Sequence, residues 1–261
     1  MRRKQLTIIL ALFLLSLPAI AEVQSRAVEY LDDDVPLTGY LYWDDAVKGK
    51  RPGVLVVHEW WGLNDYAKKR ARMLAELGYI AFAADMYGNG QVTGTPGQAK
   101  EWMQEVTADV EGWRARARLG LEQLAASGLV ADGKLAAIGY CFGGATVLQM
   151  AYDNAPVKGV VSFHGALPAA PEASWGKIGP SILVLHGQAD TFVAPEVVTN
   201  FRNKLDASGA DWEMNTYGGA RHGFTNPDAA RAGIENLAHD PAADRRSWSR
   251  MQAFFDELFK G

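Results

Sequence analysis

Five short, uninterrupted apolar runs recur along the chain, at Gly53–Val57, Tyr79–Ala83, Leu135–Gly139, Gly159–Phe163 and Ile182–Leu185. None alternates with polar residues, which is the pattern of strands buried on both faces. Between them lie amphipathic segments with helical spacing: Asp65–Leu77, Ala115–Ala126, Ala145–Asp153 and Pro195–Leu205. Buried strands alternating with helices predict an α/β fold, a mainly parallel central sheet with helices on both faces. Upstream, Val28–Leu31 and Leu37–Trp43 are β-prone and flank the acidic turn Asp32-Asp33-Asp34, which predicts an N-terminal hairpin. Downstream, Trp212–Tyr217 reads as a last strand. Ala243–Phe259 reads as a closing helix with Trp248, Met251, Phe254, Phe255 and Leu258 on its inner face. Gly88–Gly97, rich in Gly and Thr, reads as a loop. No repeat, low-complexity tract or Pro/Ser-rich linker interrupts 22–261, so one domain is expected there.

The first residues follow another pattern. Arg2, Arg3 and Lys4 precede an apolar stretch, Leu6–Ile20, that closes on Ala19-Ile20-Ala21. A charged start, a short apolar run and an A-x-A site read as a secretory signal peptide over residues 1–21. The run is shorter than the ~20 residues that span a bilayer, which disfavours the alternative of an uncleaved anchor. The mature chain is therefore expected to be exported, periplasmic or secreted, without membrane association. Its removal takes away three basic residues and no acidic one, changing the net charge from -4 to -7.

Composition narrows the chemistry. With 48% hydrophobic residues over 261 positions, the chain can build a sizeable core and is not disordered. A mildly acidic chain with no basic run beyond its first residues makes a poor nucleic-acid binder. The lone Cys141 excludes an intrachain disulfide and a thiolate zinc cluster. The five histidines form no H-E-x-x-H or H-x-H pattern, so neither a metal nor a cofactor is expected.

The strand Leu135–Gly139 runs directly into Gly139-Tyr140-Cys141-Phe142-Gly143-Gly144, and a helical segment follows at once. This is the G-x-S-x-G nucleophile elbow of the α/β-hydrolase fold with cysteine in place of serine. A nucleophile on a strained strand-to-helix turn needs neighbours without side chains. The turn also aims the Phe142 N–H toward a reacting carbonyl. A buried structural thiol is the commoner fate of a lone cysteine, but the strand–turn–helix context favours a nucleophile.

In this fold the acid and the histidine follow the nucleophile in that order. Downstream of Cys141, the strand Ser181–Leu185 ends in His186-Gly187-Gln188-Ala189-Asp190, and Tyr217-Gly218-Gly219-Ala220-Arg221-His222-Gly223-Phe224 follows the last strand. Asp190 is assigned to orient the imidazole of His222, the general base and acid. His186 precedes the acid and breaks the order, so it is read as structural. His164 is read the same way, and His239 as a surface residue.

These motifs resemble the dienelactone hydrolase family, over most of the chain from the hairpin to the last helix. A further matching stretch is Val56-Val57-His58-Glu59-Trp60-Trp61-Gly62-Leu63-Asn64. The resemblance implies that Glu59 contacts the resting thiol and helps control when Cys141 ionises. It also implies that the Trp60 N–H joins that of Phe142 in an oxyanion hole. Read from the residues, Glu59 follows an apolar strand between His58 and two tryptophans, so partial desolvation should raise its pKa. Trp61, Tyr87 and Arg221 are placed around the substrate pocket. Two departures stand out. The family's dienelactone-cleaving members hold the substrate carboxylate with arginines, one after the Asp-x-Tyr motif and one four residues past the catalytic histidine. Here Asp85-Met86-Tyr87 is followed by Gly88-Asn89, and the second position is Asn226. Bidentate carboxylate recognition depends on the guanidinium.

The expected activity is hydrolysis of a small-molecule ester or lactone through Cys141, His222 and Asp190 by way of a thioester, in a monomer. A thioesterase or peptidase would share this machinery. A non-catalytic binder on the same scaffold would not need all three residues.

Overall fold

The computed structural model describes residues 22–260. The expected leader over 1–21 lies outside them. One sheet of eight strands forms the centre: β1 (Val23–Asp32), β2 (Val35–Asp44), β3 (Arg51–Val57), β4 (Ile80–Ala84), β5 (Val130–Tyr140), β6 (Gly159–Phe163), β7 (Ser181–Gly187) and β8 (Trp212–Tyr217). Their spatial order is β1-β2-β4-β3-β5-β6-β7-β8. The β1–β2 hairpin is antiparallel and joins the sheet antiparallel to β4; every later pairing is parallel. The six helices are α1 (Asp65–Glu76), α2 (Pro96–Ala108), α3 (Val110–Ala125), α4 (Phe142–Tyr152), α5 (Pro195–Ser208) and α6 (Pro241–Lys260).

The apolar runs fill both faces of the sheet by alternation. In β3, Leu55 and Val57 face one core while Val54 and Val56 face the other. The first core is closed by α3, α4 and α5 through side chains such as Leu121, Leu148 and Phe201, the second by α1 and α6 through Leu74 and Phe255. Helix α4 is buried at all eleven of its residues. It runs beneath the sheet's carboxyl edge, so the residue that opens it cannot shift without disturbing the core.

Two sequence expectations need correction. The loop over Gly88–Gly97 ends sooner, because Pro96 and Gly97 already open α2. That helix was not anticipated at all. Of its thirteen residues only Ala99 is fully buried, while Trp102, Met103 and Val106, at helical spacing from it, pack half-buried against the core, a short stripe that directly follows the Gly- and Thr-rich stretch. Helix α3 also begins at Val110, five residues before the expected start. Asp109 caps it by accepting from the Glu111 N–H at 3.1 Å.

Candidate active site

The β5–α4 junction is a tight turn. Cys141 has φ 55° and ψ -113°, a left-handed conformation that costs a non-glycine residue on the order of 1–3 kcal/mol. The surroundings hold it there. A Cβ on Gly139 would lie 1.9 Å from the Gly143 carbonyl oxygen, and one on Gly143 would lie 2.3 Å from the Val57 oxygen. The Cys141 N–H donates to Phe163 O at 3.0 Å and the Gly143 N–H to His58 O at 3.1 Å. The elbow is thus stitched to β6 on one side and to the end of β3 on the other, and the Cys141 thiol stands half-buried at the sheet edge.

His222 reaches that thiol from the loop after β8. Gly219 and Gly223, at φ 75° and 70°, allow the chain to double back on either side of it. The imidazole Nδ1 donates to Asp190 Oδ2 at 2.7 Å, and His222 shares the wall of one cavity with Cys141. Burial works to lower the imidazole pKa, but the charge on Cys141 and the Asp190 bond outweigh it and hold it up to about 10. Burial raises the Asp190 carboxyl, yet hydrogen bonds from His222, Asn236 and the Phe192 N–H leave it below its usual range. Asn236 donates to Asp190 Oδ1 at 3.0 Å while its own carbonyl accepts from the Thr191 N–H at 3.0 Å. It fixes the carboxylate that fixes the imidazole. Nothing in the sequence singled it out.

Glu59 follows β3 and is buried. Its Oε2 accepts from Asn226 Nδ2 at 2.6 Å. Burial pushes its carboxyl up to about 7, against the opposing pull of Asn226, His222 and Arg70. Asn226, noted in the sequence for the arginine it replaces, is therefore the amide partner of Glu59. The backbone on either side of Glu59 is fixed by His58, whose Nε2 accepts from the Met86 N–H at 3.2 Å. Its Nδ1 must then carry the proton given to Glu59 O at 2.5 Å.

Among the described residues, none accepts a backbone hydrogen bond from the Trp60 or the Phe142 N–H. Both groups are held from behind. Tyr87 donates its hydroxyl to Trp60 O at 3.0 Å. The Phe142 ring stacks on Trp113 at 5.7 Å between centroids, and Trp113 Nε1 donates to Thr146 Oγ1 at 2.9 Å.

Arg70 ties the site to the scaffold. It lies on the inward face of α1 with Ala67, Ala71 and Leu74. It donates to Thr225 O at 2.5 Å and to Asp244 Oδ1, in α6, at 2.7 Å. Thr225 Oγ1 in turn is 2.7 Å from His164 Nε2 and 2.5 Å from the Tyr66 hydroxyl. One buried cation thus pins the loop that carries both His222 and Asn226. An arginine at an apolar helical position is the signal by which a sequence could reveal it.

A cavity of about 740 Å³ opens from Cys141 and His222, walled by Trp60, Trp113, Phe142 and apolar side chains of several elements. Three expected pocket residues lie elsewhere. Trp61 lines a separate cavity with Asn64 and Thr93. Tyr87 lines a polar cavity on the far side of Trp113. Arg221 is exposed and donates to Glu235 O at 2.8 Å. Arg221 points away from its neighbour His222, whereas the Trp61 ring packs on that of Trp60 at 4.8 Å between centroids while lining the separate cavity. His186 and His164 are buried, their pKa values lowered by burial. His239 is half-buried against Asp244 rather than fully at the surface. Among the described residues, no group of three or more His, Cys, Asp or Glu could hold a metal ion.

The profile of the dienelactone hydrolase family matches residues 37–259. The chain belongs to that family. Among its relatives, the protein usf of Aquifex pyrophilus is 26% identical over 237 residues, covering 89% of this chain and 98% of that one. A protein of Aquifex aeolicus named "Putative carboxymethylenebutenolidase" is 26% identical over 240 residues, covering 90% and 99%. The crystal structure of a dienelactone hydrolase-like promiscuous phosphotriesterase from metagenomic libraries superposes with a TM-score of 0.88 at 41% identity, covering 90% of this chain and 98% of that one. With these relatives, the family's fold and its hydrolase chemistry on esters or lactones apply to this chain.

Proposed function

We propose that the protein cleaves neutral carboxylic esters or lactones through Cys141, His222 and Asp190. The observation that carries this reading is the His222–Asp190 hydrogen bond set beside Cys141 on one cavity wall, with the thiol on a left-handed turn at the sheet edge. The Cys141 sulfur adds to the carbonyl carbon, its proton having passed to His222. The oxyanion is held by the Phe142 and Trp60 N–H groups. The C–O bond breaks, the alcohol leaves with the proton from His222, and a thioester remains. Water, giving a proton to His222, then attacks the thioester. The acid is released and the thiol regains its proton. Asp190 fixes the tautomer and stabilises the imidazolium.

Neutral substrates are favoured because neither arginine position is filled, and Arg221 faces away from the cavity. A second reading draws support from the 41% identical phosphotriesterase. A neutral phosphotriester offers the same thiol an electrophile with a comparable developing oxyanion, which would make it a side substrate here.

The test is a double-mutant cycle on an ester substrate. Cys141→Ala and His222→Ala should each lower kcat by on the order of 10³-fold or more, and the double variant should lose little beyond either. Multiplicative losses would show that the two do not act as one unit and would defeat the reading.

A further inference from the structure

The cavity beside Cys141 is built for something larger than a small acyl group. Its about 740 Å³ lies in the range that encloses drug-sized ligands. One wall is the segment Ala166–Pro168 after β6, and another is Phe192 with Val197, the latter in α5. The third wall is α2, which contributes Lys100, Met103 and Thr107, three positions on one side of the helix. Among the described residues of the lining, the one charged side chain beyond the thiol–imidazole pair is Lys100, and it is exposed at the rim.

Two observations point to a ligand rather than to ordinary packing. Phe192 and Val197 are 54% and 40% exposed, and Phe192 stands edge-on to the His222 ring at 5.1 Å. Apolar surface is thereby left uncovered immediately beside the base. The other observation is α2 itself. Its Met103 side faces this cavity, while Trp102, Glu105 and Val106 face the polar cavity beyond Trp113. Trp102 and Val106 hold the helix against the core, so its other side, with Lys100, Met103 and Thr107, can be matched to a ligand.

We infer that the cavity receives an apolar chain or ring of the substrate, that the substrate class is neutral esters with a medium-length apolar acyl group, and that Met103 of α2 sets the length accepted. The inference rests on the proposed role of Cys141. Each methylene buried should raise kcat/KM by up to about fourfold, and by about twofold where the cavity leaves it half-covered.

The experiment measures kcat/KM for p-nitrophenyl acetate, butyrate and octanoate, and for the anionic p-nitrophenyl hemisuccinate. The protein is the full chain, its Met103→Trp and Val197→Trp variants from opposite walls, and Cys141→Ala. The expected result is a rise of twofold to fourfold per methylene from acetate to octanoate, with the octanoate-to-acetate ratio cut tenfold or more in each tryptophan variant. Two walls are tested so that a folding failure in one leaves the other informative, and Val197 is exposed enough to accept a larger ring. If hydrolysis of every ester persists unchanged in Cys141→Ala, the proposed function itself falls. If hydrolysis depends on Cys141 but acetate or the hemisuccinate is the best substrate, or if the tryptophans leave the ratio unaltered, the chain-binding inference is overturned while the hydrolase reading stands.

Discussion

Glu59→Gln should change how stability depends on pH more than it changes stability itself. Glu59 is buried, and its carboxyl ionises at about 7 in the folded protein against 4.5 for the ordinary group. Between those values the folded chain keeps a proton that the unfolded chain has lost. The stabilisation from this group is therefore complete below pH 4.5 and is lost as pH rises through 7. A gap of 2.5 pH units corresponds to about 3 kcal/mol. Glutamine keeps the shape and still offers a carbonyl to Asn226 Nδ2, but it cannot ionise. Urea unfolding of both proteins at several pH values from 4.5 to 7.5 gives the difference directly. The glutamine variant should gain on the wild type by about 3 kcal/mol across that window, or about 6–12 °C in Tm. His222 does not confuse the comparison. Its raised pKa of about 10 stabilises the fold below 6.5 and fails only as pH climbs through 10, and it is present in both proteins. Parallel curves would show that Glu59 ionises as a surface carboxylate does, and the desolvation argument would be refuted.

Three further outcomes are expected. An anionic lactone should be hydrolysed with a lower kcat/KM than its neutral ester analogue, by on the order of tenfold, since an unpaired carboxylate would enter the apolar cavity; a tenfold preference for the anion would show that another cation replaces the missing arginines. Arg70→Met should cost about 3 kcal/mol by removing the buried guanidinium from Asp244, which keeps only His239 beside it, and kcat should fall because Thr225 loses its anchor; an unchanged kcat would mean that the His222 loop holds itself. In an exporting bacterial host, mass spectrometry should find the mature N-terminus at Glu22 or within a residue or two, and an intact segment 1–21 on exported protein would overturn the expected cleavage.

What the sequence made legible follows from how local each signal is. The parallel strands showed as apolar runs because each is buried on both faces, and the elbow showed because a glycine, the cysteine and two further glycines fall within the six residues 139–144. Asp190 and His222 were singled out by chain order, a property of the fold's topology, and the structure brings the two within hydrogen-bonding distance. Asn236 and the contact between Asn226 and Glu59 were not legible, because each joins segments far apart in the chain. Helix α2 was hidden for a different reason. Its apolar stripe, Ala99, Trp102, Met103 and Val106, is only four positions long and directly follows the Gly- and Thr-rich stretch. The placing of Arg221 in the pocket failed because it points away from His222 in a tight loop, and that of Trp61 because Trp60 forms the cavity wall and Trp61 packs against it.

Helix α2 also bears on how such an enzyme could diversify. Substitutions at buried positions are paid for in stability, commonly 2–5 kcal/mol for a large core side chain, whereas exposed positions usually move it by less than about 0.5 kcal/mol. In α2 only Ala99 is fully buried and Trp102, Met103 and Val106 pack half-buried against the core, so the helix lies between the two classes. Its side chains nevertheless face the cavity that holds Cys141. Substrate range can therefore drift by changes at the cavity-facing positions of this one helix at less cost to folding than in the fully buried α4, so those positions are the place for a randomised library and the elbow is not.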